Sequence, residues 1–122
     1  YGASYYNDIC VHPNKDLGKA LGRVFVISTL LKMGDLQFND RVHLLGCAVP
    51  QEFGWYKNIP CIESIDTSNP VMATLEDVIY RGNGLDKKPK ANMNDHLYIE
   101  NKDIDFDLLT HNLDMFKKIN NL

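Results

Sequence analysis

The chain has 122 residues, 44% hydrophobic and 24% charged, with a formal net charge of -3; this fits one domain with a real core, at about half the length of a complete eight-stranded β/α barrel. No run reaches the roughly 20 apolar residues needed to cross a bilayer, so membrane insertion is not expected, and the mild acidity excludes a global positive field advertising nucleic acid. Only the local stretch Lys87-Lys88-Pro89-Lys90 remains as a phosphate contact or a solvated loop.

Three cysteines, Cys10, Cys47 and Cys61, are odd in number and lack CxxC spacing. They point to a reducing, intracellular (cytoplasmic) setting and to small buried residues, not to disulfides or zinc. The chain opens at Tyr1, not Met, and reads as a trimmed or processed piece.

Tyr5 to Val11 reads as a first strand, closed by His12-Pro13-Asn14, where Pro13 cannot continue a ladder. From Asp16 to Met33, Leu17, Leu21, Val24, Ile27 and Leu31 recur at helical spacing, with Asp16 as N-cap and Gly34 as stop. Gly22 inside that helix either costs about 1 kcal/mol or permits close packing. Arg41 to Gly46 predicts a second strand, Pro50-Gln51-Glu52-Phe53 the first turn of a short helix, and Cys61 to Ile65 a third strand. Val71 to Tyr80 carries a further helical pattern, broken by Arg81-Gly82-Asn83-Gly84. Residues 81–96 read as a mobile polar loop, and a last helix follows Asp103-Ile104-Asp105 with Phe106, Leu109, Leu113 and Phe116 on its core face.

This order predicts an α/β fold of about three parallel strands with flanking helices, in which 1–80 form the core and 81–122 a loop and helix of the same domain. Three strands leave a sheet edge open, which implies a second chain, a second copy or a missing N-terminal half.

In parallel sheets the C-terminal strand ends carry ligands. His12, Asn14, Gly46, Cys47, Gln51, Glu52, Asp66, Ser68 and Asn69 are therefore expected on one polar rim. Asp66 leads, either as nucleophile or general base on an electrophilic carbon or as a cap on the amides of Ser68 or Asn69. His12 is an acid/base or stacking group or neither, and His43 a satisfied core or sheet-face histidine. Gln51 and Glu52 either read a ligand edge or favour a helix dipole, and Arg23 binds phosphate or makes a surface ion pair. P-loop, GxGxxG, HExxH and GxSxG motifs are missing, as is a cysteine/histidine metal set, so neither cofactor nor metal is expected.

The segments His43-Leu44-Leu45-Gly46-Cys47-Ala48-Val49-Pro50-Gln51-Glu52-Phe53 and Ser64-Ile65-Asp66-Thr67-Ser68-Asn69-Pro70 resemble the last strands of tRNA-guanine transglycosylase-like β/α barrels, including phage relatives acting on DNA. The resemblance spans roughly residues 5–80 and implies a partial (half) β/α barrel with Asp66 as the nucleophilic aspartate, Gly46 and Glu52 matching the glycine step and the acidic helix start. The family's glycine-rich loop is replaced by Val11-His12-Pro13-Asn14, and its zinc-binding cysteine cluster has no counterpart here. Two functions follow as expectations. The first is part of a glycosyltransferase or glycosylase acting on bases of DNA or tRNA; the second is a phage or mobile-element protein-binding module without catalysis.

Overall fold

The computed structural model describes residues 3–122. In chain order it contains helices α1 (Ala3–Ile9) and α2 (Lys15–Met33), strand β1 (Val42–Leu44), helix α3 (Glu52–Trp55), strand β2 (Ile62–Ile65), and helices α4 (Asn69–Leu75) and α5 (Phe106–Asn120).

The expected first strand is a helix. Tyr5, Tyr6 and Ile9 favour strands intrinsically, but strand propensity is weak against tertiary context, and α1 finds a close-packed partner instead. Gly18 and Gly22, one turn apart on α2, let the helices approach so nearly that a Cβ at Gly22 would run into the Tyr6 carbonyl. The N-cap of α2 also moves, from the expected Asp16 to Asn14, whose Oδ1 accepts from the amides of Asp16 (3.1 Å) and Leu17 (3.3 Å). The C-cap is Gly34, as the sequence predicts.

Among the described residues the sheet has two strands, not three, and forms no barrel or half-barrel. β1 and β2 are parallel, with Val42 opposite Ile62, His43 opposite Ser64 and Leu44 opposite Ile65, and an irregularity between Val42 and His43. The loss of the expected strand at 5–11 accounts for the difference. Against the sheet, α2 lays Val24, Ile27 and Leu31, which with Leu44, Tyr56, Ile59, Ile62 and Ile65 make the larger apolar cluster.

A second cluster, Ala73, Tyr80 and Phe116 with Phe53, Val78 and Met115, joins α3, α4 and α5. Phe53 meets Phe116 edge to face at 4.9 Å. The inward side of α5 is not the expected Phe106/Leu109/Leu113/Phe116 face: Phe106 and Leu113 are exposed, and the buried residues are Asn112, Phe116 and Asn120, again at i, i+4 and i+8. The helix predicted over 71–80 is shorter and earlier, ending before Asp77, whose φ of 52° lies outside the helical region. Nor is 81–96 an untethered loop. Gln51 Nε2 donates to the Leu85 carbonyl (2.8 Å), its Oε1 accepts from the Leu85 amide (3.2 Å), and the Lys88 amide donates to Asp16 Oδ2 (2.9 Å).

Candidate functional site

The C-terminal ends of β1 and β2 are adjacent because the strands are parallel, and Asp66 is the first residue beyond β2. Its amide donates to the Leu44 carbonyl (3.2 Å), which extends the ladder by one step and aims the side chain at the end of β1. There the Asp66 carboxylate accepts from the Gly46 amide. Gly46 presents that N–H at φ 62°, a left-handed conformation that glycine adopts without a Cβ penalty.

The expected alternative, in which Asp66 caps the following turn, is not what the chain does. The Asn69 amide donates to Thr67 Oγ1 at 3.0 Å, and Ser68, at the N-cap position of α4, makes no side-chain cap bond. Asp66 keeps a side chain 58% exposed, with Nε2 of His43 3.8 Å from Oδ2. The His43 ring is held from its other side by Ser64, with Nδ1 2.8 Å from Oγ.

A cleft of about 370 Å³ is lined by Tyr6, Lys19, Arg23, His43, residues 44–48, Glu52 and Lys88; Asp66 does not line it but meets two residues that do, His43 and Gly46. The cleft wall is built by one cation. Arg23 donates from Nη1 to the Leu45 carbonyl (2.9 Å), from Nη2 to the Gly46 carbonyl (2.6 Å) and to Cys47 Sγ (3.3 Å), and from Nε to Glu52 Oε1 (2.8 Å). Glu52, 1% exposed, also accepts from Tyr56 Oη (2.9 Å) and the Ala48 amide (3.1 Å). Burial alone would lower the Arg23 pKa, but the charges of Glu52 and Tyr56 and their hydrogen bonds reverse this and hold it above the ordinary value. Burial, then the Glu52 charge, pushes the Cys47 thiol up to about 12.

The rim residues divide accordingly. Gly46 and Asp66 are in direct contact, with Cys47 and Glu52 behind them in the Arg23 network as buried structural groups. Asn14 caps α2, and His12 Nδ1 accepts from the Asn14 amide at 2.9 Å. Gln51 clamps Leu85, while Asn69 is buried between the Ala48 carbonyl (3.3 Å) and the Tyr80 hydroxyl. Ser68 is exposed but engages nothing at the site. The sequence leaves Arg23 between phosphate binding and a surface ion pair and reads His43 as a core or sheet-face histidine; their positions four residues from Lys19 and three from Gly46 are the available signal. Among the described residues no three His, Cys, Asp or Glu side chains converge as a metal site, and no helix is long and apolar enough to cross a membrane.

No family model, curated protein or solved structure matches the chain. What the fold and site define is a small α/β unit with an accessible carboxylate at the C-terminal end of a parallel strand pair, beside a cleft edged with lysines.

Proposed function

We propose that the chain supplies the nucleophile of a transglycosylase or glycosylase acting on nucleic-acid bases, in line with its resemblance to the tRNA-guanine transglycosylase-like proteins. The observation that carries this reading is the Asp66 carboxylate itself: exposed, held by the Gly46 amide instead of being consumed as a turn cap, and next to His43 and Gly46, which line a cleft. Such a group can attack the anomeric carbon of a nucleotide taken out of its stack. An Asp66 oxygen bonds to C1′ as the glycosidic C–N bond breaks, and its electron pair leaves with the base. The imidazole of His43, 3.8 Å from Asp66, is the nearby group that can pass a proton to the departing base. An incoming base or water then attacks C1′, releases the Asp66 carboxylate and returns a proton to His43.

The expected outcome is a covalent adduct, seen as added intact mass, when the protein is incubated with a DNA and tRNA pool. Asp66→Asn keeps the acceptor for the Gly46 amide but cannot form the glycosyl ester, so it loses the adduct and base exchange while keeping its thermal midpoint. An adduct on Asp66→Asn would end the proposal.

A second reading, a protein-binding module without catalysis, draws support from the sheet. Among the described residues each strand pairs only with the other, and Val11 and Leu45 lie 90% and 77% exposed. The open strand edges suit a further chain that completes the catalytic unit.

A further inference from the structure

The cleft beside Asp66 has an unequal pair of sides. His43 and Gly46 border it next to the carboxylate, and Lys19 and Lys88 border it from the N-terminal half of α2 and the loop after α4. The two lysines come from positions 69 residues apart in the chain, and one carboxylate brings them together. Asp16 holds Lys19 Nζ at 3.3 Å through Oδ1 and the Lys88 backbone amide at 2.9 Å through Oδ2. Because Asp16 grips Lys88 by its backbone, the Lys88 ammonium makes no ion pair among the described residues. Deeper in the cleft, Arg23 and Glu52 neutralise each other at 2.5 Å. On the lysine side Asp16 offsets one of the two cations, so one positive charge is left there, across from the Asp66 carboxylate next to the other side. Lys88, which has no ion-pair partner among the described residues, and Lys19 beside it at one side of the cleft suit an anion carried by something larger that continues past the mouth.

We propose that Lys19 and Lys88 form a subsite for a backbone phosphate of a nucleic-acid strand, next to the nucleotide whose sugar faces Asp66. The identity of the anion rests on the base-transfer reading above; the subsite itself rests on the Asp16 clamp and the cleft. Its role is to set the position of the strand, since phosphate contacts fix register and carry no sequence information. Lys88 is the stronger contributor, because Lys19 shares its charge with Asp16.

The test is binding of a labelled short single-stranded DNA oligonucleotide to the whole protein across a salt series, with a nucleoside monophosphate as the competing source of the same chemistry. Lys19→Ala and Lys88→Ala are each expected to weaken binding severalfold at low salt and to flatten the dependence of log K on log salt by about 0.7, as loss of one phosphate contact on a single strand does. Lys88→Arg restores the slope. The monophosphate competes only weakly, since it lacks the rest of the strand. An unchanged slope in the double lysine variant, or no binding of the oligonucleotide by the wild-type protein, overturns the subsite; a monophosphate that binds as tightly as the oligonucleotide overturns its assignment to a strand. A failure of the transfer chemistry shows in the adduct assay and leaves the wild-type salt series intact, so the two readings fail separately.

Discussion

At the scale of single residues, the buried pair Arg23 and Glu52 is where a small change should cost most. Removing one partner leaves the other charged, desolvated and facing backbone carbonyls that no longer balance it. Glu52→Ala should therefore lose about 3–5 kcal/mol in denaturant unfolding, and a loss below about 1 kcal/mol, the range of exposed pairs, would show the pair to be solvated. Cys47 gives an independent reading of the same network. With its thiol pushed up to about 12 by burial and by Glu52, it carries almost no thiolate at mildly alkaline pH and should resist iodoacetamide in the folded protein. Half-exposed Cys10 should label first, with buried Cys47 and Cys61 reacting only in denaturant; peptide masses after timed alkylation check the order. Asp66 was legible in the sequence because a carboxylate ending an apolar run marks a strand end. Arg23 was not, because a single arginine on an amphipathic helix has the same local pattern whether it faces water or closes a network with residues 22–33 positions away.

At the scale of elements, sequence and structure part where tertiary contact competes with local preference. The periodicity of α2, the parallel β1 and β2 and the Gly34 stop were readable because long helices and short apolar runs bounded by breakers carry strong local signals. α1 was misread because its aromatic and β-branched residues mask a helix fixed by two glycines on another element. Gly22→Ala tests that explanation. Helix propensity alone favours alanine by about 1 kcal/mol, but the added methyl meets the backbone carbonyl of Tyr6, which can yield only if α1 moves; overpacking of this kind costs about 1–3 kcal/mol. A net loss of thermal stability is expected, and a stabilised variant would mean that α1 does not dock there. The face of α5 was misread for a different reason: it buries amides. Asn112 Oδ1 accepts from the Tyr80 amide (2.8 Å) while its Nδ2 donates to the Val78 carbonyl (2.9 Å) and Thr74 Oγ1 (3.2 Å). A hydrophobicity pattern cannot announce such a residue. Asn112→Leu leaves those backbone groups buried and unpaired, and each should cost about 1–3 kcal/mol, measurable as a fall in the urea midpoint.

At the scale of the whole molecule, the open question is what covers the sheet. The accessible surface is 8073 Å² for 13.9 kDa, against about 6,700 Å² for a compact monomer of that mass. The excess exceeds the roughly 800 Å² that one partner commits to a standard interface. Much of what is exposed is apolar, including Val11, Phe25, Phe38 and Leu45, and parallel strands seldom stand without neighbours on either side. The resulting expectation is that the isolated chain associates. Sedimentation velocity over a concentration series should show species heavier than 13.9 kDa, and a hydrophobic dye should bind at low concentration and be displaced as association proceeds. If the assembly also completes the catalytic unit, adduct formation at Asp66 rises with protein concentration more steeply than in proportion. A monodisperse monomer that binds no dye would show that two strands and their flanking helices suffice by themselves, and adduct formation strictly proportional to protein would place the whole reaction within one chain.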